Sequence, residues 1–380
     1  MKQLLKYPLL LAFFVFIFGY SLFDMTQNSR EYSEFENKYL AQKPEFTMKS
    51  FLNNEFTPKY ESYINDQFAL RDDWITLKSL CETALMKIEN NGITYGKDDY
   101  LFEKFTAIPG DQYQRNLGFL GEFFAKYTQQ PITFAVIPNA YTIYPERIPK
   151  GLHNVDQLVE TQKIYQQAEQ SGGENLKILD FYDTLLAHKS EYLYYRTDHH
   201  WTTTGAYYAY AQYVQSLGRT PVALEEMPAN TVEGFYGTYF SKAKKFAQPA
   251  DTITWYDIPV SQTVIDGKEY DGYYDKEKFA VRDKYAAFLR GNNGFTVLKS
   301  AVNRDAVPGQ TSKVLVIKDS YANSFVPFLL YHFDEVHIVD LRANEKQISE
   351  ILQENTYEDI LLMYNFMNLT NDTNIYRLKY

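Results

Sequence analysis

Val314-Leu-Val-Ile-Lys-Asp-Ser-Tyr-Ala-Asn-Ser324 opens on an unbroken apolar run and turns polar at Lys318 and Asp319. A short run with no alternation suits a strand buried on both faces, as in parallel sheets covered by helices. Ala322, Phe325 and Leu329 then fall at helical spacing, which puts Ser320 in the turn between a strand and a helix. That is the carboxyl edge of a parallel sheet, where α/β folds place ligands, and the start of a helix, where backbone N–H groups are free. A serine there serves as a helix cap or as a nucleophile beside ready oxyanion donors.

Outward from this stretch the same rhythm repeats. Short apolar runs at Ile132 to Ile137, Ile178 to Leu179, Val336 to Val339 and Ile360 to Met363 alternate with helical patterns at Tyr113 to Tyr127, Gly205 to Leu217 and Glu345 to Gln353. The alternation predicts an α/β sandwich around a mostly parallel sheet. Asn139 and Arg342 each follow one of these runs, so both are expected at the same sheet edge as Ser320. Between Arg219 and Ser312 the pattern loosens into Gly-, Tyr- and Asp-rich sequence, read as a β-rich insertion (219–312) within a domain spanning 99–380. Residues 25–98 are polar, aromatic and helix-prone, a packing stalk.

Composition narrows the function. The 380 residues carry 48 acidic and 38 basic side chains, a formal charge of −10, which disfavours nucleic acid as a partner. A lone cysteine, Cys81, excludes an internal disulfide, and no Cys/His cluster offers a structural zinc site. Aromatic residues make up 17%, 34 of them Tyr, whose amphipathic rings suit wet or sugar-facing surfaces.

The first residues set an address. Lys2 and Lys6 precede an uncharged run from Tyr7 to Phe23, closed by Asp24. As a helix that run is about 25 Å long, marginal for a bilayer core of about 30 Å but sufficient with interfacial anchors. No Ala-x-Ala-like cleavage site follows, so residues 1–24 are expected to be an uncleaved signal-anchor. With lysines on the cytoplasmic side, everything after Asp24 would lie outside a cell membrane that the chain crosses once.

A second motif is Thr197-Asp-His-His-Trp201, followed by three threonines and Gly205. In an extended segment Asp198 and His200 share one face and His199 points away. The threonines offer an N-cap to the helix beginning near Gly205. Alone, the motif reads more readily as a polar strand end with its histidines satisfied locally. With Ser320 it supplies nucleophile, base and orienter, roles recognised by geometry and not by chain order. His200 would then titrate near the ordinary imidazole value of about 6.5.

Thr197-Asp-His-His-Trp201 and Lys318-Asp-Ser-Tyr-Ala-Asn323, with softer landmarks at Asp66-Gln-Phe-Ala-Leu-Arg71, Val136-Ile-Pro-Asn139, Phe235-Tyr-Gly-Thr238 and Phe288-Leu-Arg-Gly-Asn292, resemble the exported DHHW proteins. These are close to the AlgJ and AlgX group of SGNH hydrolase-like O-acetyltransferases. The resemblance implies a three-layer SGNH-like fold and a triad of Asp198, His200 and Ser320. It also implies a multispanning membrane O-acyltransferase as the partner that passes the acyl group outward. Lys318 stands where a Gly-Asp-Ser block would have glycine, and no Gly-x-Asn-Asp block is present. Gly291 and Asn292 are therefore candidate oxyanion donors, and Tyr321, Asn323, Asn139 and Arg342 candidate substrate contacts. Asp-His-His also occurs in metal-dependent phosphoesterases, but the further early aspartates these need are missing, so neither metal nor cofactor is expected.

The expectation from sequence is thus a membrane-anchored O-acyltransferase acting on an envelope glycan or exopolysaccharide. Two rivals use the same residues differently: an O-acetyl esterase, and a glycan-binding scaffold working through the aromatic 219–312 segment.

Overall fold

The computed structural model describes residues 7–36 and 38–380; Lys2 and Lys6, which carry the expected orientation, lie outside the described residues. The chain divides into two compact units, Met1–Asn90 and Asn91–Tyr380.

In the first unit, helix α1 (Pro8–Met25) has 18 residues, a mean hydropathy of 1.9 and no buried side chain. It is long and apolar enough to cross a membrane or to serve as a signal sequence. Helices α2 (Phe56–Gln67) and α3 (Arg71–Ala84) follow, joined at the Asp66 to Arg71 motif. The motif is a polar clasp on the preceding segment. Asp66 accepts from Lys38 Nζ at 2.7 Å and from Ala41 N at 2.9 Å, and Arg71 grips Glu36 through Nε at 2.7 Å and a terminal nitrogen at 3.0 Å.

The second unit is built on an eight-stranded sheet. Its strands are β1 (Ile132–Ile137), β2 (Leu176–Ile178), β5 (Val260–Ile265), β6 (Lys268–Tyr270), β7 (Phe295–Ser300), β8 (Lys313–Lys318), β9 (Glu335–Asp340) and β10 (Asp359–Asn365). A separate hairpin pairs β3 (Ala229–Phe235) with β4 (Asp251–Tyr256). The sheet order is β6-β5-β7-β9-β8-β10-β1-β2. Strands β9, β8, β10, β1 and β2 run parallel, and every residue of β1 and β10 is buried, which is why their sequences show no alternation.

The sheet is mixed rather than mostly parallel, because β7 joins antiparallel to β9, β5 antiparallel to β7 and β6 antiparallel to β5. All three come from residues 219–312, so the second half of the expected insertion is main sheet. Its strands alternate between more and less buried residues and lack the continuous apolar run of their parallel neighbours.

Helix α4 (Gly110–Lys126) packs Phe124 on Phe134 of β1, and α5 (Gln157–Ser171) caps Val136 N with the Tyr165 hydroxyl at 2.9 Å. Helix α6 (Thr203–Ser216) starts where the threonines predict, with Thr202 Oγ1 accepting from Gly205 N at 3.3 Å. After β8 the chain forms two successive 3-10 helices, Ser320–Ser324 and Val326–Tyr331, in place of the single helix expected. Pro327 in the first turn of the second marks the break.

Candidate active site

Ser320 is the first residue after Asp319, and Asp319, not Ser320, is the cap: its Oδ1 accepts from Tyr321 N at 2.9 Å. Its Oδ2 accepts from Asn365 N at 2.7 Å and Asn368 Nδ2 at 2.8 Å, tying the turn to the end of β10. Relieved of capping, the Ser320 hydroxyl donates to His200 Nε2 at 2.9 Å. His200 Nδ1 donates to Asp198 Oδ1 at 2.6 Å, and Asp198, His200 and Ser320 are all buried.

The Asp-His-His-Trp segment is not an extended strand. Tyr194 and Trp201 form a lone antiparallel bridge, and the intervening residues make a tight loop. Asp198 and His200 meet because Asp198 Oδ1 also accepts the His200 backbone N–H at 3.0 Å, an Asx turn that brings residue i+2 onto the carboxylate. In that loop His199 does not point away: its ring lies 3.7 Å from that of His200, and its Nδ1 is 2.7 Å from Thr238 Oγ1.

Two buried supports hold this loop. Asp251 accepts from Thr197 N at 2.8 Å, Thr197 Oγ1 at 2.6 Å and Arg196 N at 3.0 Å, and also from the Tyr192 hydroxyl. Asp198 Oδ2 accepts from Thr238 N at 2.7 Å and Thr238 Oγ1 at 3.0 Å. Gly237 makes room for this: a Cβ there would sit 2.2 Å from Asp198 Cβ and 2.3 Å from Oδ2.

Cross-links join the loop to the serine turn. Trp201 Nε1 donates to the Tyr321 carbonyl at 2.7 Å, and the Tyr321 hydroxyl donates to the His199 carbonyl. Tyr285 lies flat on the His200 ring, 3.8 Å between centroids and 12° from parallel, while its hydroxyl donates to the Ser320 carbonyl at 3.0 Å. Sequence reasoning missed Tyr285 and Asp251, which are two of many aromatic and acidic residues in the loosely patterned segment. Gly237 and Thr238 did carry a signal, as the Phe235 to Thr238 landmark.

Lys318, two residues before Ser320, anchors a second, largely buried network. Lys318 Nζ donates to Asn323 Oδ1 at 2.7 Å and to Asp340 Oδ2 at 3.2 Å, and Arg342 grips Asp340 through Nε at 2.8 Å and a terminal nitrogen at 2.6 Å. Asn323 Nδ2 reaches Asn292 Oδ1 at 3.1 Å. Gly291, at φ 93° and ψ −153°, takes a conformation open mainly to glycine and leads into Asn292. Asn323, Asn292 and Arg342 thus belong to this cluster. Asn139 and Tyr321 belong to another, joined through Asn139 Nδ2 at 3.3 Å from the Tyr321 hydroxyl.

The electrostatics follow from burial and neighbours. Burial and the adjacent His199 push the His200 imidazole down to about 4, against the partial pull of Asp198, so the expectation of a value near 6.5 fails. Burial works against the Asp198 charge, yet His199 and His200 hold its carboxyl well below the ordinary range. His199 is raised: burial opposes its charge, but Asp198 outweighs burial. At neutral pH His200 is therefore neutral, with its proton on Nδ1 and an acceptor pair facing Ser320.

Asp198, His199 and His200 also bring three potential metal-ligand atoms within 4.8 Å of one another. An ion there would have to displace the hydrogen bonds to His200 and Thr238 that organise the loop.

The DHHW protein family model matches residues 151–339, a span holding both motifs. The chain matches no curated protein. Among solved structures it is similar to a DHHW family protein from Eubacterium siraeum, with 23% identity, a TM-score of 0.62, and coverage of 77% of this chain and 96% of that one. It is also similar to Bacillus cereus PatB1 with a sulfonyl adduct, at 18% identity, a TM-score of 0.60, and 76% and 98% coverage. The O-acetyltransferase domain of Pseudomonas putida AlgJ is more distant, at 15% identity, a TM-score of 0.47, and 76% and 98% coverage. At these identities the first two likenesses speak for a shared fold alone. Over the span 151–339 the chain matches the DHHW family, and it shares its fold with a solved DHHW family protein.

Proposed function

We propose that the chain is a membrane-anchored, extracytoplasmic O-acyltransferase that moves an acyl group, acetyl above all, onto a hydroxyl of an envelope glycan or exopolysaccharide. The observation that carries the reading is the continuous line from Asp198 through His200 to Ser320, with steps of 2.6 and 2.9 Å. In the first half-reaction Ser320 Oγ attacks the donor's acyl carbonyl while its proton passes to His200 Nε2. Asp198 holds the Nδ1 tautomer and stabilises the imidazolium. His200 then protonates the departing donor group, leaving an acyl ester on Ser320. In the second half-reaction a sugar hydroxyl gives its proton to His200 and attacks the same carbonyl, and His200 returns that proton to Ser320 Oγ as the acyl–serine bond breaks.

Charge on the tetrahedral oxygen needs donors. Tyr321 N is spent on Asp319 Oδ1, which leaves the Ser320 N–H at the helix start as the first candidate. Asn292 is the second: its Oδ1 is occupied by Asn323, so its amide nitrogen is the free end. By the family resemblance, a multispanning membrane acyltransferase supplies the acyl group; Arg342 and Asn139, which follow strands at the same sheet edge as Ser320, meet substrate.

The test uses the full-length protein in detergent micelles with p-nitrophenyl acetate as donor and an oligosaccharide as acceptor. Ser320-dependent nitrophenol release with acetyl recovered on the sugar is the expected result. Release without any sugar acetylation, whatever acceptor is offered, would return the protein to the esterase reading, and no release at all would remove the triad reading.

A further inference from the structure

A cleft of about 340 Å³ opens beside the triad, lined among others by His199, Tyr321, Asn139, Asn365, Tyr239 and Asn371. Asn139, Tyr239, Tyr321 and Asn365 are buried, so the floor is built from fixed side chains. Its place relative to the chemistry is set by two rings. His199 lies against His200 at 3.7 Å and Tyr321 lies 5.0 Å from it, so the cleft begins one ring beyond the catalytic base.

The chemistry of the lining selects a ligand class. Glu103 and Lys242, the charged pair of the lining, neutralise each other at 2.8 Å. The remainder is amides, hydroxyls and tyrosine faces, which suit a ring carrying several hydroxyls and no charge. One acceptor is left over. Asn139 Nδ2 donates to Asn365 Oδ1 at 3.2 Å and to the Tyr321 hydroxyl at 3.3 Å, and that hydroxyl donates onward to the His199 carbonyl. Both partners therefore act as acceptors, which fixes the amide orientation and leaves Asn139 Oδ1 buried with no donor. That oxygen is closed off from solvent, so the polar contacts open to a ligand are those of the more exposed Thr238, Asn368 and Asn371 in the lining.

We infer that this cleft seats an uncharged sugar ring of the acceptor, the residue neighbouring the one whose hydroxyl is acylated. The inference rests on the acyl-transfer reading for what the sugar is doing there, but binding itself is measured apart from turnover. A ring held one residue away would orient the reacting hydroxyl towards His200 without touching the acyl group. It would also favour a neutral glycan over a polyuronate, because the lining offers no unpaired cation of its own apart from what His199 carries.

The test is binding, by ligand-observed NMR on the full chain in detergent micelles, of chitotetraose and of tetragalacturonate. Chitotetraose should bind and tetragalacturonate should bind no more tightly. Asn371→Trp, which fills the cleft from its rim, should weaken chitotetraose by about tenfold or more, since a blocked subsite loses its whole contribution. The same variant should label at Ser320 with phenylmethylsulfonyl fluoride at the unaltered rate, which shows that the triad is intact. A second measurement needs no variant at the rim: Met367 lines the cleft, so its methyl signal, assigned through Met367→Leu, should shift on titration with chitotetraose. Absence of binding, equal binding by a fully labelled Asn371→Trp protein, preference for the uronate, or an unmoved Met367 methyl would each overturn the inference. Binding as described in a protein that transfers no acetyl would keep the subsite and remove the acyl-transfer reading alone.

Discussion

Two buried carboxylates flank Ser320, and they are dressed in opposite ways. Asp198 accepts from a neutral imidazole, two backbone N–H groups and a threonine hydroxyl. Asp340 is met by two cations, Lys318 at 3.2 Å and Arg342 at 2.6 Å. Around Asp340 the countercharge is already in place: burial opposes its ionisation, yet Lys318 and Arg342 hold it down at about 2. Around Asp198 the balancing charge rests on protons that His199 and His200 can gain or lose, so that side is poised for proton transfer. The contrast teaches that burial alone does not mark a catalytic acid; what matters is whether the partner can change its charge.

The largest effects should come from breaking the mobile side. His200→Ala and Ser320→Ala should each cut acetyl-ester turnover on the order of 10⁴- to 10⁶-fold, and the double variant should lose little more than either, because triad members act as one unit. Multiplying losses in a steady-state comparison of the three proteins would count against that unit. Asp198→Asn should lower kcat by about 10³- to 10⁴-fold with KM little changed, since it spoils the tautomer and not the binding.

Breaking the fixed side should show in stability instead. Asp340→Asn leaves the buried Lys318 facing a neutral partner, a loss of about 3–5 kcal/mol that thermal unfolding would register as a lower Tm. If Asp340→Asn keeps its Tm while turnover collapses, the division between the two sides is wrong.

Smaller effects sharpen the Asp198 side. Gly237→Ala would drive a methyl into Asp198, and a displacement of the order of an ångström at a catalytic group costs about 10²-fold in kcat. The pH profile of kcat/KM should have its acid limb near 4, falling as His200 takes up a proton, and should stay flat through 6.5. His199→Gln should change the rate at pH 7 only a few-fold, on the order of 1 kcal/mol. Because His199 depresses His200, that variant should move the acid limb to higher pH.

The parallel half of the sheet was legible because its strands are buried on both faces and announce themselves as unbroken apolar runs, Ile132 to Ile137 and Val314 to Ile317 among them. The antiparallel half was not, since β5 and β7 mix buried and half-exposed residues and sit among turns. Asp198, His200 and Ser320 were legible from residue type, from the i, i+2 spacing in the first motif and from the strand-to-helix turn that the second implies. Their local geometry was not: an i, i+2 rule for strands pairs the right two residues for the wrong reason, and only the Asx turn explains why His199 stays close. The depressed His200 value was equally hidden, because it depends on burial and on a neighbour that the extended reading turned away. Tyr285 and Asp251 act through three-dimensional contacts with no sequence spacing to betray them.

The central claim is that Ser320 carries the acyl group with His200 as its base. Mass spectrometry of the full-length protein after brief exposure to p-nitrophenyl acetate tests it most directly. One acetyl group on the peptide bearing Ser320, absent from both Ser320→Ala and His200→Ala, is the result predicted. Undiminished acetylation at another residue in Ser320→Ala would contradict it.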